Sequence, residues 1–314
     1  DAEGTLHDTS AAVASGCYQR SQVATRYADG TCTVVNGHPK ERLVTTFQGR
    51  QVDLPPNGYV GWTRDGRIEV FSGDRAGQRC DYSVSPAYIY VDGRGRFTRF
   101  PLAASDGPAV CRLLPDNQYE VLALQGANCG FAVEAASAVA LDEANKELGP
   151  AELRVSRGLT YVVPVEGAFS YRLQGGRAAA AATLTCDRET VVPGETVVVK
   201  GRDEHAFQVP SDAEPGARLW QQFEGAWIDF TVAPMADVSI VLEGNTLQVG
   251  VTSNLAGRQS ITVTCGDRQE SVSVATGERA GVAFDLGQPT EEAAETLVIE
   301  LAAGDLRQRL EKGM

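Results

Sequence analysis

Residues 22–37, QVATRYADGTCTVVNG, and residues 41–59, ERLVTTFQGRQVDLPPNGY, decide the fold of this chain. In the first segment, two runs of alternating residues flank Asp29-Gly30, a dipeptide typical of tight hairpin turns. The second segment ends in Pro55-Pro56-Asn57-Gly58, a sequence that stops a strand and turns the chain. The whole stretch therefore predicts antiparallel strands joined by tight turns and closed by a fixed corner.

The same pattern continues beyond this stretch. Turn dipeptides such as Asp65-Gly66 and Asp92-Gly93 separate short alternating runs at intervals of roughly 8–12 residues, which is typical of a β-sandwich. No long amphipathic helical pattern appears, so the sequence predicts an all-β fold of tandem, immunoglobulin-like sandwiches. In the first hundred residues we expect strands near 22–27, 31–36, 42–47, 50–54, 59–63, 67–71, 79–84, 87–91 and 96–100.

A chain of 314 residues is too long for one small sandwich. We expect modules at 1–105 and 106–176 and a larger one at 177–314, the last of which could divide into 177–235 and 236–314. The alanine run 178–182 is interpreted as a linker, and the tail 296–301 as part of a hairpin, although 290–295 also looks like the start of a helix. The segment 139–148 is interpreted as a strand followed by a loop.

The composition limits the partners. The net charge of −13 repels phosphate backbones, so a nucleic-acid partner is not expected. No apolar run reaches the 18 residues that a membrane span needs. The chain begins at Asp1 without a signal-peptide pattern, which leaves a removed leader and a piece of a longer protein as alternatives.

The fold-deciding stretch also carries a family resemblance. Its residues Tyr27-x-Asp29-Gly30-Thr31, then Asn36, then Leu54-Pro55-Pro56-x-Gly58-Tyr59, resemble the β-sandwich modules that follow the catalytic barrels of bacterial glycoside hydrolases. The resemblance covers about residues 22–100, and the remainder resembles generic bacterial Ig-like appendages. It implies a secreted or cell-surface, non-catalytic region that gives structural support and contacts polysaccharide or a cell-surface glycan.

Two other functions stay open. One is a surface adhesion protein of stacked Ig-like modules that binds a protein or a glycan. The other is a polysaccharide hydrolase or lyase built on the sandwich itself. Because the sequence lacks a G-x-S-x-G motif, a phosphate-binding loop and the alternating strand–helix pattern of a barrel, it assigns no catalytic residue.

The best candidate for ligand binding is the segment 224–230, EGAWIDF. If Ile228 and Phe230 face a core, strand alternation places Trp227 and Asp229 together on the other face. An indole beside a carboxylate suits a sugar, which has a C–H face and hydroxyl groups. Trp220 could extend this surface, as could Tyr88 and Tyr90, although two tyrosines on one strand face are more often buried. Trp227 could instead pack against a neighbouring module or loop.

Seven cysteines and three histidines form no CxxC pattern or Cys/His cluster, so no metal site or cofactor is expected. Disulfides between Cys186 and Cys265, or between Cys111 and Cys129, would suit an exported protein, and buried thiols are the alternative. Oxygen-rich turns at 105–107 and 116–117 could offer calcium ligands but are better explained as ordinary turns. His205 shares a strand face with Phe207 and is interpreted as a structural residue.

Overall fold

A computed structural model describes residues 8–16, 21–75, 77–124, 127–176, 183–285 and 296–313. The chain divides into two compact units, residues 1–181 and 182–314. Almost every regular element is a β-strand, so the all-β, sandwich-type prediction is confirmed. The alanine run 178–182 and the segment 290–295 lie outside the described residues.

In the described residues of the first unit there are one short helix and eighteen strands. The helix is capped by the Asp8 carboxylate, which accepts the Ala11 N–H at 2.7 Å, and it ends at Gly16 with φ 71°. The sequence has no clean period there, so it did not predict this helix.

The elements of the first unit are α1 Thr9–Ser15, β1 Gln22–Arg26, β2 Cys32–Asn36, β3 Leu43–Phe47, β4 Arg50–Leu54, β5 Gly58–Trp62, β6 Glu69–Arg75, β7 Gln78–Val84, β8 Tyr88–Asp92, β9 Thr98–Arg99, β10 Ala103–Ser105, β11 Ala109–Leu114, β12 Gln118–Ala123, β13 Cys129–Phe131, β14 Ala135–Leu141, β15 Glu147–Ala151, β16 Leu153–Ser156, β17 Leu159–Val162 and β18 Ser170–Gly175.

These strands form one long sheet and two smaller ones. The long sheet has eleven strands in the order β1-β2-β5-β6-β7-β8-β11-β12-β18-β14-β15. A five-stranded sheet, β16-β17-β13-β10-β9, shares a core with its middle and far part, and the β3–β4 hairpin shares a second core with its β2–β5 end. Phe71 packs against both cores, which joins them into one apolar interior.

The boundary predicted at 105/106 does not separate two modules in this structure. Strand β8 pairs directly with β11, with Tyr88 opposite Arg112 and Val91 opposite Ala109, so the sheet crosses the boundary without a break. The core likewise mixes Tyr82 and Phe100 with Val121. The turn at 106–108 joins two strands of one sandwich, although in sequence it has the composition of a linker.

The described part of the second unit has twelve strands in four small sheets. Its sheets are β19-β23-β22, β20-β21, β24-β25-β28 and β27-β26-β29-β30. The strands are β19 Thr190–Val191, β20 Thr196–Lys200, β21 Glu204–Gln208, β22 Arg218–Phe223, β23 Ala226–Val232, β24 Ala236–Glu243, β25 Thr246–Ser253, β26 Arg258–Cys265, β27 Arg268–Ala275, β28 Arg279–Asp285, β29 Thr296–Ala303 and β30 Leu306–Gly313. The predicted C-terminal hairpin is β29–β30.

Two apolar cores lie within the second unit. One is built from β19–β23 around Ile228 and Phe230, and the other from β24–β30 around Ile261, Val263 and Leu301. Their division fits the alternative in which 177–314 contains two modules. The adjacent residues Val191 and Val192 point into different cores, so the chain there is shared between them.

Candidate functional site

The corner that follows β4 is held from inside the first unit by Asn36. This side chain is fully buried at the end of β2, and its Nδ2 donates to the carbonyl oxygens of Glu41 at 2.8 Å, Leu54 at 3.1 Å and Pro55 at 2.9 Å. A buried amide is stable only when it is hydrogen-bonded, and here it bonds carbonyls on both sides of the β3–β4 hairpin. Asn36 therefore joins the two halves of the sequence that carries the family resemblance.

Arg79, on β7, holds the same corner from the opposite side. Its guanidinium donates to the carbonyl of Pro56 at 3.1 Å, to the carbonyl of Asn57 at 2.7 Å and to the Ser72 hydroxyl at 3.0 Å. Gly58 completes the corner, because a Cβ there would lie 2.9 Å from the Pro55 carbonyl oxygen. These contacts fix the backbone at the start of β5, whose second residue is Tyr59.

Tyr59 stands on the outer face of the long sheet, the face opposite the core. It lies opposite Ser72 on β6, which lies opposite Asp81 on β7, which in turn lies opposite Asp92 on β8. Directly opposed residues of antiparallel strands share a face, so these four side chains form one row. The tyrosine face is this row together with its neighbours on β7 and β8: Tyr59, Ser72, Asp81, Ser83, Tyr88, Tyr90 and Asp92.

The charged groups of the tyrosine face are fixed by contacts with one another. The Asp81 carboxylate accepts a hydrogen bond from the Ser72 hydroxyl and another from Arg94 Nε at 2.7 Å. Asp92 accepts the Arg94 backbone N–H at 2.8 Å. The hydrogen bond to Asp81 raises the pKa of Arg94. Carboxylates and a guanidinium are therefore presented side by side in defined positions.

Tyr88 and Tyr90 show where a sequence expectation was wrong. They were expected either to extend a binding surface or, more often for two tyrosines on one strand face, to be buried; Tyr88 is 44% exposed and Tyr90 is half-buried, both on the outer face. The core positions of β8 are taken by Ile89 and Val91. Burial, with the nearby Asp92 and Asp81 charges, raises the pKa of Tyr90, which keeps its phenol protonated. The alternation Tyr-Ile-Tyr-Val-Asp in 88–92 already indicated that the two tyrosines lie on the face opposite Ile89 and Val91.

The surface expected at Trp227 and Asp229 has a different construction. Ile228 and Phe230 do face a core, and Trp227 and Asp229 do share the other face. Asp229, however, is only 2% exposed and forms an ion pair with Arg218, whose side chain is 6% exposed. A charge that is buried is paired, and sequence alternation cannot show which partner buries it. Asp229 is therefore not an open acceptor for sugar hydroxyls.

The tryptophans belong to the same cluster. Trp220 lies opposite Asp229 across β22 and β23, and its ring meets that of Trp227 edge to face, with centroids 6.3 Å apart. The Arg218 guanidinium carbon lies 4.7 Å from the Trp220 ring centroid, so it covers one face of that indole. The structure thus brings the predicted residues together, but as a compact aromatic and ionic cluster.

His205 has the structural place that the sequence suggested. Its Nε2 lies 2.9 Å from Glu224 Oε1, and its ring stacks on Phe223 at 4.7 Å. Glu224 stands at the β22–β23 turn and accepts the backbone N–H groups of Arg202 at 3.0 Å and Asp203 at 2.9 Å. These backbone donors, with the His205 contact, lower the pKa of Glu224 to about 2. One carboxylate thus ties two hairpin turns together.

Neither predicted disulfide is formed. Cys111 and Cys265 are buried thiols, one in each proposed pair. Cys186 packs against the core around Phe230 whereas Cys265 belongs to the core around Ile261, so that pair is divided between two interiors. Cys111 and Cys129 contribute to the same core from different sheets. Burial raises the pKa of Cys111 to about 12, as expected for a thiol that acts as a small apolar side chain.

A small cavity lies between the sheets of the first unit. Its volume of about 70 Å³ is far below the roughly 300–1,000 Å³ of ordinary ligand pockets. It is lined by Ala123, Ala127, Cys129, Val162, Pro164, Val165, Ala168 and Tyr171. This cavity is too small to hold a sugar.

The described ranges offer neither a metal-binding cluster nor a membrane-spanning helix. Within them, no three His, Cys, Asp or Glu side chains are grouped so that they could hold a metal ion. At the turn 105–107, both Asp106 oxygens accept hydrogen bonds from Asn128, at 2.8 Å from its N–H and 2.7 Å from Nδ2. No helix in these ranges has the length and apolar character needed to cross a membrane.

Comparison with known proteins adds little. No family model and no curated protein matches the sequence. A crystal structure of a DUF3823 family protein from Bacteroides ovatus is similar over 64% of this chain and 93% of that one, with 10% identity and a TM-score of 0.20. At so low a TM-score, the likeness decides neither fold nor function.

Proposed function

We propose that this chain is a non-catalytic, multi-module β-sandwich region of an exported bacterial carbohydrate-active protein, giving structural support and contacting glycan. The supporting observation is the corner at 55–58. The residues that carry the resemblance build it, because Asn36 bonds to the Leu54 and Pro55 carbonyls and Tyr59 emerges directly from it. The corner both anchors the sheet and displays an aromatic ring.

The architecture suits a supporting role. The long sheet of the first unit runs through both of its cores, so the packing of one end depends on that of the other. Several of its turns have left-handed backbone, such as that at Asn57 with φ 56°. A rigid sandwich of this kind keeps a neighbouring domain and a bound chain at a defined place.

Two alternatives predict different measurements. A stacked-module adhesion protein would capture a protein partner and bind no polysaccharide. A sandwich-fold hydrolase or lyase would release sugar ends from a polysaccharide, and the opposed carboxylates of Asp81 and Asp92 on the outer face would be the first groups to test.

The test uses the whole chain on a glycan array and in a reducing-sugar assay. We expect retention of at least one class of polysaccharide and no release of reducing or unsaturated ends. Release of such ends, abolished in Asp81→Asn, would favour the enzyme. A silent array together with specific capture of a protein would favour the adhesion protein. A catalytic barrel encoded in the same reading frame upstream of Asp1 would further support the proposal.

A further inference from the structure

We infer that the tyrosine face is the site where this chain binds a glycan, and that the glycan is uncharged. The inference rests on the proposed function and assigns it a surface and a ligand class. The tyrosine face replaces the surface around Trp227 as the expected binding site, because the Asp229 carboxylate there is buried against Arg218. The ligand is an extended neutral polysaccharide chain lying across β5–β8.

The two aromatic rings stand apart by a distance that suits a chain of sugars. Tyr59 is on β5 and Tyr90 is on β8, three strands away in the same sheet. With strands about 4.8 Å apart, the two positions are separated by about 14 Å across the sheet. Between them, Ser83 and Val70 lie in the row of Tyr90, and Ser72 and Asp81 lie in the row of Tyr59. Ser72 accepts a hydrogen bond from Arg79, and Asp81 accepts one from Arg94. A ligand that spans the two rings therefore lies over polar groups that are already held in place.

The polar groups on this surface match the edges of a sugar ring. Asp81 and Asp92 accept hydrogen bonds, and Arg94 donates them, while each is already oriented by its neighbours. Because these side chains are already ordered, less conformational entropy is lost when a ligand binds. The aromatic rings contact the C–H faces of a sugar, and the fixed donors and acceptors bind its hydroxyl groups. Small-molecule sites commonly combine apolar contacts with a few placed polar groups in this way.

Charge determines the class of glycan. The whole chain carries −13, so it repels polyanions such as uronic-acid polymers. Beside the tyrosine face, the charge of Arg94 is balanced by the Asp81 carboxylate, which reduces its attraction for an anionic ligand. A neutral chain meets neither the repulsion nor the desolvation of an unmatched charge. This favours an uncharged polysaccharide over an acidic one.

The experiment compares four neutral polysaccharides with one polyanion. A soluble β-glucan, xylan, mannan and starch, and polygalacturonate, are tested by affinity gel electrophoresis against wild type, Tyr59→Ala and Tyr90→Val. Tyr27→Ala is the matched control, because Tyr27 is a more exposed tyrosine, at 54%, in the β1–β2 turn. Asp81→Asn is a third, isosteric variant of the face, and thermal melts verify that all variants fold.

We expect retardation by at least one neutral polysaccharide and none by polygalacturonate. Binding should weaken about tenfold in Tyr59→Ala and in Tyr90→Val, which corresponds to a loss of about 1.4 kcal/mol for one stacked ring. Tyr27→Ala should bind as wild type. If folded Tyr59→Ala, Tyr90→Val and Asp81→Asn all bind as wild type does, the assigned surface is wrong while the proposed function stands. Preference for polygalacturonate overturns the ligand class, and failure of every glycan overturns both proposals.

Discussion

Asn36 Nδ2 donates to the Pro55 carbonyl at 2.9 Å, across nineteen positions of sequence. The contact fixes the corner from which Tyr59 enters the outer face of the sheet. It also explains why Asn is required at position 36: the side chain reaches three carbonyls and is itself fully buried. The order Asn, then Leu-Pro-Pro-x-Gly-Tyr, is thus one three-dimensional unit whose parts are distant in sequence.

Asn36→Ala should destabilise the first unit by about 2 kcal/mol, because it leaves buried carbonyls with fewer donors. The chain has more than one core, so one global transition cannot be assumed. We would therefore replace Trp220 and Trp227 by Phe and follow urea unfolding by the fluorescence of Trp62, which packs against the core at the β2–β5 end.

The control for this variant is Asn128→Ala, which removes an amide that is exposed and donates to Asp106. It should cost well below 1 kcal/mol. Equal losses for the two variants would show that burial of Asn36 contributes nothing special to the corner.

The buried pair Arg218–Asp229 gives a second prediction. Asp229→Ala should cost about 3–5 kcal/mol in the second unit, because it leaves the guanidinium without its counter-charge in a buried place. The double variant Arg218→Met/Asp229→Leu should recover most of that loss. The measurement is urea unfolding followed by Trp220 and Trp227 in a Trp62→Phe background.

A double-mutant cycle measures how strongly Arg218 and Asp229 are coupled in stabilising the second unit. A double variant less stable than Asp229→Ala alone would show that the guanidinium stabilises the unit mainly by covering the Trp220 ring, which it approaches to 4.7 Å.

Local pattern predicted the strands well. The expected runs at 31–36 and 50–54 correspond to the observed 32–36 and 50–54, because alternation and turn dipeptides are local properties of the chain. The module boundary at 105/106 was not predictable in this way. The pairing of β8 with β11 joins residues about twenty positions apart, and a Pro/Gly-containing turn looks the same inside a sandwich as between two of them.

The candidate site was predictable only in part. The alternation in 224–230 placed Trp227 and Asp229 on one face, which is correct, but gave no sign of Arg218 on the neighbouring strand. The tyrosine face was missed because its members come from four strands that only the sheet order brings together. Register between strands is set by long-range packing, which a single sequence does not display.

Glu224 gives a prediction about pH. Its pKa is about 2 in the folded chain, below its ordinary value of 4.5, because the N–H groups of Arg202 and Asp203 and the His205 ring bind the carboxylate. A lowered pKa means that its stabilising contribution is fully present above pH 4.5 and is lost as the pH falls toward 2. Between pH 6 and pH 2.5, the melting temperature of the second unit should fall further in wild type than in Glu224→Gln.

Glu204→Gln is the matched control, since Glu204 lies at the start of β21 with a side chain 70% exposed and an ion pair only to Lys200. Its acid sensitivity should equal that of wild type. If Glu224→Gln proves as acid-sensitive as wild type, the carboxylate does not hold the two turns together.

The cysteines provide the last prediction. Cys111 is buried in the core of the first unit, and burial raises its pKa to about 12; the pKa of Cys265, buried in the second unit, is raised for the same reason. The thiolate is the reactive form, so native protein at pH 8 should leave both residues unmodified by iodoacetamide, while half-buried Cys186 reacts faster. Peptide mass spectrometry identifies the modified sites. In denaturant without reductant, both Cys111 and Cys265 should then alkylate completely. Alkylation of either one only after reduction would establish a disulfide and contradict the structure, because an oxidised cysteine cannot react until its bridge is cleaved.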